Sequence, residues 1–104
     1  MTTILDKTGH KIATVDSSGL VQQYPHTLGH VFANGNVHDY NNHKVGSVDD
    51  KGNALDYYGR TAGRVNLNDG KVYDANKKPR GKVVGDHIAW GGAALLLLVK
   101  EDEK

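Results

Sequence analysis

The chain has 104 residues, enough for one domain with a modest core. Its 13 basic and 12 acidic residues leave a net charge of +1, which gives no electrostatic reason to expect nucleic acid or anionic lipid as a partner. It contains no cysteine, so disulfides, thiol catalysis and cysteine-bound metal centres are excluded, and for so small a domain this leans toward the cytoplasm.

Thirteen glycines favour many turns over long helices. Met1 to Asp16 shows no basic-then-apolar leader pattern. The one long apolar run, 88–99, is shorter than the roughly 20 residues a membrane-spanning helix needs.

Taken in order, the chain repeats one phrase, apolar–small–any–Val. The small residues are Ala13, Gly29, Gly46, Gly63 and Gly81, spaced 16, 17, 17 and 18 apart. Seven positions before each stand Asp6, Gln22, Asp39, Asp56 and Asp74, and nine positions before stand Ile4, Leu20, Val37, Ala54 and Val72. Two positions after stand Val15, Val31, Val48, Val65 and Val83. The units are 4–19, 20–35, 36–52, 53–70 and 71–86. The second diverges most, with Gln22 in place of Asp and Pro25 where a turn is expected.

Each unit reads as two short strands and two turns. Asp at the head of the first turn bonds backbone amides ahead of it, and Gly, or Asn42 in the third unit, tolerates positive φ at its end. The second turn ends in Ser18-Gly19, Asn34-Gly35, Lys51-Gly52 or Asp69-Gly70, of which Asn-Gly and Asp-Gly are the strongest hairpin signals. Val45 and Val48 are three apart, so a regular strand points them to opposite faces. A β-bulge at the small residue resolves this. So does a backbone approaching closely at a crowded centre, and recurrence in every unit favours that second reading.

After the fifth unit, Gly91-Gly92-Ala93-Ala94 leads into four leucines and Val99. This segment is apolar on all sides, so it is read as a buried closing element, either helix or strand, with helix favoured by its Ala and Leu content. The expected fold is therefore all-β: five antiparallel hairpin units closed around a pseudo-symmetry axis, with 88–99 as a core segment, all within one domain spanning 1–104.

No motif names a chemistry. A ring of Asp6, Asp39, Asp56 and Asp74 around an axis could bind a cation such as calcium, but turn capping accounts for the column more simply. The pairs His26–His30 and His38–His43 have helical zinc spacing in a region that reads as strand and turn. Ser17, Ser18 and Ser47 lack a nucleophile-elbow context. No cofactor is implied. The weak candidates for a ligand or partner site are Tyr40, Tyr57, Tyr58 and Tyr73, since turn tyrosines stack on sugars or pack on partner proteins.

The phrase Val-x-Asp, then apolar-Gly-x-Val, then Asp-Gly or Asn-Gly, with the Ala-Ala-Leu-Leu-Leu-Leu ending, resembles the four-fold beta flower domain family from Ile4 to Val99. That resemblance implies hairpin petals about a pseudo-four-fold axis, in bacterial proteins of unsettled function, and assigns no site residues. Together these readings lead to an expected non-enzymatic binding or scaffold domain. Its partner would be a protein, another copy of itself, or a small ligand at the central axis. The alternatives are a carbohydrate- or envelope-binding module using the turn tyrosines, and membrane attachment through Leu95 to Leu98.

Overall fold

A computed structural model describes residues 2–23 and 26–99. Ten strands are followed by one helix. The strands are β1 (Thr2–Leu5), β2 (Lys11–Val15), β3 (Leu20–Gln23), β4 (His26–Val31), β5 (Asn36–Asp39), β6 (Lys44–Val48), β7 (Asn53–Asp56), β8 (Thr61–Val65), β9 (Lys71–Asp74) and β10 (Pro79–Val84), and the helix α1 is Ile88–Leu97. Each strand pairs antiparallel with the next, and β10 pairs with β1 through Ile4 and Val83, so the sheet is a closed up-and-down barrel. Closure removes the exposed edges that such short strands would otherwise present. The units form five hairpins around the ring, not the four petals that the resemblance implies.

Both readings of the small column hold. In every hairpin the residue before the small anchor is an extra, bulged residue: Ile4 faces Ala13 while Leu5 faces Lys11, leaving Ile12 between them. Leu28, Val45, Ala62 and Arg80 occupy the same place in the other four. The inward pair is therefore the anchor and the Val two positions on, which is ordinary strand alternation. The centre is also crowded. A Cβ on Gly46 would overlap the Leu55 carbonyl oxygen and stand 2.8 Å from Leu97 Cδ1.

The second unit requires a correction. Val21, not Leu20, is the buried partner of its anchor Gly29, and Gln23, not Gln22, takes the place of the turn Asp. The hairpin pairs Gln23 directly with His26, so its turn is shorter than its siblings' and the repeat slips by one. The turn expected at Pro25 lies outside the described residues.

An eight-stranded barrel is filled by its own side chains, whereas a ten-stranded one leaves room to fill. α1 fills it, reaching β1, β2 and β5–β10. The apolar segment is thus a helix, and the axis where a small ligand was envisaged is occupied by protein. The helix enters at the mouth near β1 and β10, where the His87 backbone N–H donates to Thr2 Oγ1 at 2.9 Å.

Small helix residues meet large barrel residues, and large meet small. Gly91 and Gly92 lie so close to Val83 and Val65 that a Cβ on either would overlap the valine. Glycine inside a helix costs about 1 kcal/mol relative to alanine, and here no larger residue fits. One turn later the leucine tips sit where glycines make space. A Cβ on Gly81, Gly63 or Gly29 would stand 3.0 Å from Leu95, Leu96 or Leu98 respectively. Successive leucines turn about 100° around the helix. They meet successive units around the ring, in reverse chain order, at roughly 72° per unit for five units. The four-leucine run is thus the complement of the four-glycine column. Each fully buried leucine contributes about 2 kcal/mol. Leu95 is fully buried and Leu98 nearly so.

Candidate functional site

A barrel filled along its axis presents its chemistry at the two mouths and on the outer wall. The mouth built from the first turn of each unit carries the tyrosines. Tyr40, Tyr57 and Tyr58 are 72%, 63% and 77% exposed on neighbouring hairpins. Their turns are rigid for a local reason. Asp56 Oδ1 accepts the backbone N–H of Tyr58 at 2.9 Å and of Arg60 at 3.0 Å. Asp39 does the same for Asn41 and His43, both at 2.9 Å. Asp6 and Asp74 repeat the bond pattern in their own turns.

The Asp column is therefore a set of turn caps. At Asp56 the bond from the Arg60 amide is the main cause that holds the carboxyl below its usual range, with the Tyr58 amide and the Arg60 charge adding to it. Asp39 and Asp74 are lowered chiefly by the His43 and Lys78 amides, and Asp6 chiefly by the Thr8 hydroxyl. Among the described residues no three His, Asp or Glu side chains are grouped to hold a metal ion.

On the Tyr57–Tyr58 turn the rings meet edge to face at 5.3 Å. The Arg60 guanidinium lies 5.4 Å from the Tyr58 ring centre, and its Nε is 3.3 Å from Asp56 Oδ2. This makes one preassembled aromatic and cationic cluster. The same mouth bears Lys7, Lys11, Lys44, Lys77, Lys78 and Arg80 on its turns and strand ends, beside Arg60 and against the turn-capping Asp6, Asp39, Asp56 and Asp74, so cations outnumber carboxylates there. The opposite mouth bears Asp16, Asp49, Asp50, Asp69 and Asp86 against Lys51 and Lys71. A near-neutral total thus hides two ends of opposite sign.

Tyr73 is separated from the other tyrosines. It is half-buried on the outer wall, directly across from Arg64 on β8 and from Pro79 on β10. It lines two grooves, of about 560 and 330 Å³. The larger runs over β7–β9 and is lined by Asn53, Thr61, Arg64, Asn66, Tyr73 and Lys77 among others. Lys77 has φ +67°, at the turn position occupied by Gly9, Asn42 and Gly59 in other units. A left-handed backbone costs a residue with a Cβ about 1 kcal/mol or more.

The first histidine pair separates as well. His26 and His30 lie four apart on β4, roughly 13 Å along the strand, so they do not form a metal pair. His30 instead faces His38 across β4–β5, and the Phe32 ring lies 4.7 Å from each. At the acidic mouth His87 stacks on Trp90 at 4.1 Å, beside exposed Leu67.

Sequence reasoning named the tyrosines as candidates and did not name Arg64 and Lys77, which line the groove beside Tyr73. The available signal was departure from the unit columns. Where Arg64 stands, the other units have Thr14, His30, Ser47 and Lys82. Where Tyr73 stands, they have Leu5, His38 and Leu55, with Gln22 in the shortened second unit. Among the described residues no helix is long and apolar enough to cross a membrane. Comparison with protein families, curated proteins and solved structures gave no match.

Proposed function

We propose that the protein is a non-enzymatic binding domain whose working face is the tyrosine-bearing mouth, and that its partner is a protein surface presenting acidic side chains. The observation that carries this reading is the Tyr57–Tyr58–Arg60 cluster, exposed yet fixed by the Asp56 cap. Tyrosine and arginine held rigid before binding lose little conformational entropy on contact, which is why both concentrate at interfaces. Surrounding lysines favour an acidic partner and speed the encounter at low salt. The acidic mouth of a second copy has the required charge, so self-association is the homotypic form of this reading. The four-fold beta flower likeness, which rests on the sequence phrase, and a cytoplasmic location, which rests on the lack of cysteine, belong to the same proposal.

Two measurements test it. In sedimentation velocity, homotypic binding appears as concentration-dependent association at low salt that vanishes at high salt and in Tyr57→Ala/Tyr58→Ala. In cells, a photo-crosslinker at position 58 captures a discrete partner that the same probe at position 68, on the other mouth, does not. Monomer behaviour together with no position-dependent crosslink overturns the reading. Turnover in a hydrolase screen, abolished by one side-chain change, overturns its non-enzymatic part.

A further inference from the structure

The larger wall groove shares Lys77 with the rim of the tyrosine mouth but differs from it in its other residues and in chemistry, and it includes none of Tyr57, Tyr58 and Arg60. Asn53, Arg64 and Tyr73 stand in one row straight across β7, β8 and β9, a row roughly 10 Å long. From this row and its neighbours we infer that the groove binds an anionic sugar, a pyranose carrying a carboxylate or a phosphate.

The residues divide the work by chemistry. Tyr73 offers a half-exposed aromatic face, on which the C–H face of a pyranose packs. Arg64 and Lys77 line the same groove, and among the described residues neither is engaged in an ion pair. A guanidinium presents paired donors to a carboxylate or phosphate, and an ammonium adds a point charge. The amides are part-used in a way that leaves defined groups for hydroxyls. Asn66 Oδ1 accepts the Asn68 N–H at 2.8 Å, which leaves its NH₂ to donate. Asn53 donates its NH₂ to Asp49 at 3.0 Å, which leaves its oxygen to accept. Asp74 also lines the groove, with Oδ1 committed to the Asn76 and Lys78 amides.

The repeat supplies an internal control. Every unit junction has the same backbone, so the scaffold alone does not explain these side chains. The equivalent cross-strand pair is Ser47–Leu55 one junction back and His30–His38 two back. Arginine opposite tyrosine, beside a lysine, occurs at one junction among those described. That lysine also occupies a left-handed backbone position that glycine or asparagine fills in its siblings. A charged residue held in a strained backbone at the lip of this groove is a mark of function over folding.

The test is calorimetric titration of the intact chain with glucuronate and with glucose 6-phosphate, against glucose and against acetate and inorganic phosphate alone. At least one acidic sugar binds about tenfold or more tightly than glucose and than its own bare anion, and which one distinguishes carboxylate from phosphate. Arg64→Met and Tyr73→Leu each weaken that binding about tenfold. Lys77→Asn is the decisive variant, because it weakens binding while raising Tm by relieving the backbone. Equal affinity for glucose and both acidic sugars overturns the inference, as does binding by Lys77→Asn at wild-type strength. Tyr57→Ala/Tyr58→Ala leaves sugar binding unchanged, so failure here and failure of the mouth as a protein interface are separable.

Discussion

The inside and the outside of this barrel obey different rules. Inside, the five units are nearly interchangeable: valine, a small residue and an apolar partner recur at each step, because each must meet the same central helix. Outside, the same backbone carries Thr14, His30, Ser47, Arg64 and Lys82 at one equivalent position. The contrast teaches that a repeated core position is constrained by packing, while an unrepeated wall position is open to recruitment for binding.

Substitutions can break that contrast, and the largest effect is expected inside. Gly63→Val drives a side chain against the Tyr73 carbonyl and the Leu96 tip. A loss of about 3 kcal/mol or more is expected, read by chemical denaturation. Leu96→Ala empties the same seat from the helix side and costs about 2–3 kcal/mol, since Leu96 is only partly buried. The two seats differ in kind: one change overfills the space and the other leaves a cavity.

The turns come next. Six aspartates, Asp6, Asp16, Asp39, Asp49, Asp56 and Asp74, have carboxyls held below their ordinary value in the fold. A carboxyl that is more acidic when folded contributes stability above its unfolded value, and that contribution is lost as pH falls through the folded one. Thermal scans should therefore show Tm dropping below about pH 4, and Asp56→Asn should blunt part of that drop. The smallest effect is outside and opposite in sign. Lys77→Asn, with Asn42 as precedent at the same φ of 67°, stabilises by roughly 0.5–1 kcal/mol. A destabilised Lys77→Asn would remove the strain from the account of the wall groove.

Much of the fold was legible because the repeat shows directly in the chain. The columns of Asp, Gly and Val report turn caps, close approach and the inner layer without reference to three dimensions. Unit two was misread by one place because its shorter turn moves Val21 inward, and that shift is set by strand pairing rather than by residue type. The segment 88–99 stayed ambiguous between helix and strand for a physical reason. A helix enclosed on all sides has no polar face, so its 3.6-residue period leaves no trace. The wall groove was hidden because Arg64 and Tyr73 belong to different units and meet only across β8 and β9.

The central claim is that consecutive leucines seat on glycines of consecutive units. Nuclear Overhauser contacts between leucine methyls and glycine α-protons test it most directly. The account predicts Leu95 to Gly81, Leu96 to Gly63, Leu97 to Gly46 and Leu98 to Gly29, each leucine touching a different unit in descending order. Leucine methyls that contact one another, or the glycine of a single unit, would contradict it.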